Sequence, residues 1–285
     1  MPKIINIPDF MEVEILDKNF NFLQTLLLFI KSRILILIFK YSNGILFCKL
    51  FNLFYKSDGK IYFKDSLYYK KINDRNFYFP NKRITRIAVN HKKHLQKFLQ
   101  TYCIDFVDLK DGDLVVDCGA NVGELALGLK TNGKKINYIG FEPDLKAYKC
   151  LEKNIENEDT IYNLALSNVD GKQDLFVDTD GGNSSLSDFG TEIKSKIESR
   201  TFDSFKFKNI KLLKIDGEGF EPEILSGCIK SLSEIEYISV DYGNERGLES
   251  SSTIVAVLNF LYDNNFRLIK ESDYRKIGLF KNQDF

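Results

Sequence analysis

The chain has 285 residues, 44% apolar and 28% charged, with 40 Lys/Arg against 40 Asp/Glu. This composition excludes a disordered chain and fits a large globular domain, alone or with an extension. Zero net charge argues against a nucleic-acid partner, although residues 1–110 carry 19 Lys/Arg against 9 Asp/Glu and residues 111–285 carry 21 against 31; the basic half either meets an anionic surface or is a solvated face.

The opening "MPKIINIPDFMEVEILD" puts acids where a signal peptide has its basic region, so no signal peptide is expected. Residues 1–55 read as mainly helical. Within them "FLQTLLLFIKSRILILIF" (22–39) has 13 strongly apolar residues of 18, a gain of about −5 kcal/mol in a bilayer that Lys31 and Arg33, at roughly +2.5 to +3.5 each, cancel. A spanning helix is not expected. Lys31 and Arg33 fall on nearly opposite sides of a helical wheel, so a clean in-plane amphipathic helix is not expected either. One or two helices packed on the main domain are, with peripheral membrane contact as the alternative. Residues 60–90 alternate aromatic and polar positions, as strands of a small sheet do. A helix follows in "NHKKHLQKFLQTY", with Asn90 as its N-cap and His91 and His94 on a surface face.

From about Asp108 apolar runs alternate with helical stretches. The strands are 113–117, 136–142, 159–167, 210–216 and 235–241; the helices between them are 122–132, 144–157, 221–232 and 251–264. Two further strands, 266–271 and 276–282, are joined by "SDYR". The pattern predicts an α/β fold, a mostly parallel sheet with a C-terminal antiparallel hairpin. Residues 170–208 read as an extra hairpin and a loop. The expected domains are a helical and β N-terminal extension (1–107) and an α/β domain (108–285). Five cysteines without CxxC spacing point to a reducing, cytoplasmic setting, with Cys118 a buried inert thiol.

The first parallel strand runs into "DCGANVGEL". A dinucleotide fingerprint needs glycines at 119, 121 and 124, and only Gly119 is present. Glu124, in the first helical turn, would repel a pyrophosphate. A cationic ligand without phosphate suits the turn better, and S-adenosylmethionine is one. The next strand ends at Glu142, 23 residues after Gly119, where a carboxylate can accept from both hydroxyls of a ribose.

Taken together, "VVDCGANVGE", "FEPD", "NLALSNVDGK", "NSSL", "LLKIDGEGFEPEILSG" and "VDYGNERG" resemble the FkbM family of S-adenosylmethionine-dependent methyltransferases over residues from about 60 to 282. The resemblance implies a class I (Rossmann-like) methyltransferase fold of seven strands. It implies a hydroxyl acceptor on a sugar, glycan, glycolipid precursor or other small molecule. It also assigns Asp117, Gly119, Ala120, Asn121 and Gly123 to the methionine side of the cofactor, Glu142 to the ribose, and Ala165 or Leu166 to the adenine. Gly217 and Phe220 depart from the family, which often has an apolar residue and alanine there, and so alter the substrate pocket.

Methyl transfer to oxygen needs a base for the hydroxyl proton. With both histidines upstream, that base must be a carboxylate. Asp216 and Asp241, at strand ends, and Glu218, in the following loop, are the candidates. Glu221 and Glu223 flank Pro222 at a helix start, where the dipole stabilises them. Ser184, Ser185, Asn244 and Arg246 are candidate substrate contacts, with Arg246 alternatively paired to Glu245 or Glu249. A divalent metal on these acids is an alternative not favoured. The rival functions are an NAD-dependent oxidoreductase or epimerase, and a non-catalytic membrane- or glycan-binding module.

Overall fold

The computed structural model describes residues 21–56, 58–72, 74–178 and 184–285. The helical expectation for residues 1–20, and Asn183 of the "NSSL" motif, lie outside them. The chain forms two compact units, Met1–Leu95 and Gln96–Phe285.

In the first unit, α1 (Phe22–Tyr41) starts at a reciprocal cap: Asn21 Oδ1 accepts from Gln24 N and Gln24 Oε1 from Asn21 N, both at 2.9 Å. Ser42 and Asn43 then lead into α2 (Gly44–Phe54), which buries Phe47, Cys48 and Phe51. The aromatic alternation forms an antiparallel meander of β1 (Ile61–Lys64), β2 (Leu67–Ile72) and β3 (Arg75–Phe79). A short helix α3 (Thr85–Ala88) follows, and then α4 (His91–Thr101), capped as expected by Asn90 Oδ1 accepting from Lys93 N at 3.0 Å. His91 is not the surface residue expected. Its side chain is 12% exposed and its Nδ1 lies 2.9 Å from Asp58, which also takes Lys70 Nζ. A buried lysine needs a carboxylate, and that carboxylate draws in the histidine.

The division between units falls inside α4, upstream of residue 107. Leu99, Tyr102, Ile104, Val107 and Leu109 are core residues of the second unit, packed with Val115, Leu125 and Leu212. That unit is built on a seven-stranded sheet. In chain order its strands are β4 (Leu114–Cys118), β5 (Asn137–Phe141), β6 (Thr160–Tyr162), β10 (Ile210–Ile215), β11 (Ile235–Asp241), β14 (Phe266–Glu271) and β15 (Ile277–Asn282). Across the sheet the order is β14-β15-β11-β10-β4-β5-β6, and β12 (Asn244–Arg246) and β13 (Ser251–Ser252) pair antiparallel with each other outside it. All pairings are parallel except those of β15, which lies antiparallel between β11 and β14. Strand order reverses at β4, so the crevice for a ligand opens at the C-terminal ends of β4 and β10.

Alternation along the central strands divides the core. Val115 and Leu212 face one layer, with Leu125 and Leu129 of α5 (Glu124–Thr131). Val116 and Leu213 face the other, with Ile224 and Leu225 of α7 (Glu221–Ser226) and Val257 and Leu261 of α8 (Ile254–Asp263). The helix after β5 is α6 (Leu145–Asn154), capped by Asp144. This is the class I methyltransferase architecture.

Two expected elements come out at about half their expected length or less. The run 159–167 breaks after Tyr162: Asn163 Nδ2 donates to the carbonyls of Glu142 (2.9 Å) and Pro143 (3.2 Å). Beyond it β7 (Ala165–Leu166) leaves the main sheet to pair with β9 (Lys194–Arg200), which also pairs antiparallel with β8 (Gly171–Phe176) as the expected extra hairpin. The helix expected over 221–232 stops at Ser226, where Gly227 passes Ser167 so closely that a Cβ would lie 2.1 Å from its carbonyl oxygen.

Candidate active site

The turn after β4 uses left-handed backbone at Gly119 (φ +77°), Asn121 (φ +48°) and Gly123 (φ +89°). Glycine is obligatory at 119, because a Cβ there would lie 2.1 Å from the carbonyl oxygen of Asp216. The turn is tied to β5: the N–H groups of Gly119 and Ala120 donate to Phe141 O at 3.0 and 2.9 Å. Asn121 N donates to Glu142 Oε2 at 2.7 Å, and Asp144 N to Glu142 Oε1 at 2.8 Å. Glu142 is 6% exposed, and burial raises its pKa to about 7. Its two oxygens retain lone pairs for further donors.

Asp117, which the resemblance assigns to the cofactor, is buried beneath the turn, accepting from Tyr138 O–H at 2.8 Å and from Lys214 Nζ at 2.9 Å. The parallel register sets Lys214 directly opposite Asp117. Lys214 Nζ also donates to Gly119 O at 3.0 Å and lies 3.8 Å from Asp216 Oδ2. Burial alone would depress the Lys214 pKa, but Asp117 and Asp216 outweigh it and hold the pKa above its ordinary value.

Asp216 follows β10 directly and accepts a short hydrogen bond from Tyr102 O–H. Burial, then the Asp216 charge, holds the Tyr102 phenol well above its usual pKa, so it stays a donor. Asp241 closes β11 with its side chain 1% exposed. Burial and then the Asp216 charge push its pKa up to about 8, although Arg275 lies 2.9 Å away. The same guanidinium donates to Glu245 at 2.6 Å. Glu245 is likewise raised, by burial and then Asp216. Glu218 sits in strained left-handed backbone (φ +50°). Asp216, Glu218 and Glu245 each bring an oxygen within 4.8 Å of the others, a geometry that a divalent cation or a cationic ligand could both use.

Glu221 does more than start a helix. It is 1% exposed; its Oε1 accepts from Gly217 N (3.0 Å) and Gly219 N (2.9 Å), and Thr253 Oγ1 donates to its Oε2 (3.1 Å), so it shapes the loop carrying Glu218. Ser185 Oγ donates to Glu218 O at 2.8 Å, and Ser184 Oγ to Asp144 Oδ2 at 3.3 Å. Both serines therefore lie over the strand ends. Arg246 pairs with neither Glu245 nor Glu249. It grips Glu223 through two bonds of 2.9 and 2.6 Å and donates to Gly219 O. Asn244 is exposed and accepts from Lys276 Nζ at 2.6 Å. Ala165 and Leu166 are buried in β7, just beyond Asn163.

Sequence reasoning missed Lys214, Tyr102 and Arg275. Only Lys214 left a signal, a buried cation beside the apolar Leu212, Leu213 and Ile215 of a central strand. The donor set suits S-adenosylmethionine: a buried carboxylate with spare lone pairs stands at the end of β5 for a ribose, and a crowd of carboxylates stands across the turn for a cation.

The sequence profile described as the Methyltransferase FkbM domain matches residues 117–268. No curated protein matches the chain in sequence. Among solved structures, the methyltransferase FkbM from Methylobacillus flagellatus KT is similar at 16% identity and a TM-score of 0.46, over 70% of this chain and 53% of that one. The chain thus spans about half the length of that relative. The precorrin-6y C5,15-methyltransferase from Geobacter metallireducens GS-15 is similar at 11% identity and a TM-score of 0.38, over 64% of this chain and 85% of its own. M. capricolum TrmK, solved with S-adenosyl-homocysteine, is similar at 13% identity and a TM-score of 0.37, over 66% of this chain and 68% of its own. The profile match takes in more than half of the residues, from Asp117 under the turn through the loops after β10 and β11, and the chain belongs to the FkbM methyltransferase family.

Proposed function

We propose that the protein is an S-adenosylmethionine-dependent O-methyltransferase acting on a hydroxyl of a sugar, glycan or glycolipid precursor. The observation that carries this reading is Asp216, at the switch point of the sheet and oriented by Tyr102 O–H and Lys214. When bound, S-adenosylmethionine supplies an electrophilic methyl on a sulfonium. Glu142 accepts from its ribose hydroxyls, the backbone of 119–123 lies along its methionine portion, and Ala165 and Leu166 provide an apolar wall for the adenine. Asp216 takes the proton of the acceptor hydroxyl. Glu218 adds negative charge around it, Asp241 does so above its pKa of about 8, and Arg275 limits their mutual repulsion. Ser184 and Ser185 offer hydroxyls to the acceptor; Asn244 and Arg246 stand at its rim. Five free, buried cysteines accord with a cytoplasmic setting.

Titration calorimetry should show binding of S-adenosylmethionine and of its demethylated product; NAD binding in their place would overturn the reading. Labelled S-adenosylmethionine incubated with a native cell extract should yield a labelled, base-stable ether on a carbohydrate-containing product. Asp216→Asn should abolish that transfer and leave cofactor affinity within a few-fold, and surviving transfer would remove Asp216 from the role of base.

A further inference from the structure

Helix α1 offers water an unusually apolar surface. Of its 20 residues only Ser32 and Leu35 are buried, and its mean hydropathy over the 18-residue core is 2.0. Phe22, Leu23, Leu27 and Leu37 are 85, 63, 58 and 55% exposed, and Ile45, Leu46 and Leu53 of α2 are similarly open. Single exposed apolar residues are ordinary; a run of them along two consecutive helices marks an interaction surface.

The surrounding charge says what covers this face. Residues 21–95 contain 15 Lys/Arg and 3 Asp/Glu, and no glutamate occurs between Glu14 and Glu124. Two of the three acids are already engaged within the unit, Asp58 by Lys70 and Asp74 by Lys71. A second copy of the chain would bring the same positive charge against itself. A nucleic acid would match the charge but leave the leucines in water. An anionic lipid bilayer satisfies both, since each basic residue near such a surface adds about 1 kcal/mol of attraction and the apolar side chains enter the acyl boundary.

We propose that the exposed residues of α1, with the neighbouring exposed residues of α2, dock this protein on an anionic membrane surface. The helix lies in the interface and does not span it. Lys31 is held over the Tyr55 ring at 4.2 Å, and Arg33 over Phe29 at 4.9 Å. Ser32 and Leu35 keep one stripe of α1 against protein. A spanning helix would have to carry two cations through the bilayer centre, part Lys31 from Tyr55 and expose Ser32. The proposal is independent of the methyltransferase reading.

The test is flotation of the full chain with vesicles of phosphatidylcholine, alone and mixed with phosphatidylglycerol. The expected result is association with the mixed vesicles, at least about tenfold weaker with phosphatidylcholine alone and falling steeply with salt, as screened attraction must. The double variant Leu27→Asp/Ile30→Asp should bind at least about tenfold less, with unchanged thermal unfolding. Lys60→Glu/Lys64→Glu, which leaves α1 intact, should also weaken binding to the mixed vesicles. Failure of the unmodified chain to float would overturn the proposal, as would equal binding to both vesicles without a salt effect. So would a dimer in solution that Leu27→Asp/Ile30→Asp dissociates, displacement from vesicles by RNA, or membrane material that resists alkaline extraction.

Discussion

A lysine in the middle of a parallel sheet must find opposite charge within its own reach, and Lys214 finds two carboxylates and a carbonyl. Removing it strands the buried Asp117 under the cofactor turn. Lys214→Met should therefore cost about 3–5 kcal/mol, seen as a lower denaturant midpoint. Replacing Lys214 and Asp117 together by apolar residues should cost less than the single change. Glu142 gives a second test. Its pKa of about 7 in the free protein means that raising pH from 6 to 8 ionises it, and the ionised form is the better acceptor for ribose hydroxyls. A ligand that prefers the ionised form lowers that pKa and releases a proton, so affinity should rise with pH up to about 8 and level off. Calorimetry at several pH values should show this rise, and Glu142→Gln should flatten it.

The loop between β10 and α7 is set by Glu221, whose carboxylate stands in for the hydrogen bonds that residues 217–219 lack. Glu221→Ala leaves two buried N–H groups unsatisfied and should cost about 2–4 kcal/mol, whereas Glu221→Gln can accept from both and donate to Thr253. Burial holds the Glu221 pKa at about 7, above its unfolded value. The unfolded chain therefore ionises first, and stability from this group is present below about pH 4.5 and lost as pH rises to about 7. The Gln variant should gain on the unmodified chain across that window by an amount on the order of 3 kcal/mol, readable from urea unfolding at pH 5 and pH 8.

At this scale most elements were legible. The strand over 235–241 and the first strand of the C-terminal hairpin have the expected bounds, because apolar runs ending in acids leave no other placement. The third strand was not, because a single asparagine side chain, bonding backward to Glu142 and Pro143, diverts it from the sheet. No hydrophobic pattern encodes that.

For the molecule as a whole, the five thiols are uniformly inaccessible. Burial raises the Cys48 and Cys103 pKa values to about 11 and that of Cys150 to about 12, and it raises Cys118 and Cys228 as well. A disulfide reagent at pH 8 should find almost no reactive thiol in the native protein and all five after unfolding. The site was legible in its carboxylates and glycines, which sit in contiguous motifs. It was not legible in its cation and phenol partners. Tyr102 meets Asp216 across 114 positions of chain, and Arg275 reaches Asp241 and Glu245 from the link between β14 and β15. Such pairs are decided by strand order, which local pattern does not carry.

The position of β15 also sets a timetable. This strand is made after every other part of the site, yet it lies inside the sheet, wedged between β11 and β14, and the link before it delivers Arg275 to the acidic cluster. A nascent chain that has exposed β11 but not yet Arg275 holds Asp216, Asp241 and Glu245 without their guanidinium, and its sheet keeps an open edge. During synthesis, each copy thus passes through an interval in which every cofactor-turn residue has been made while the acidic cluster still lacks its guanidinium, and the hairpin of β14 and β15 closes the sheet and the cluster together.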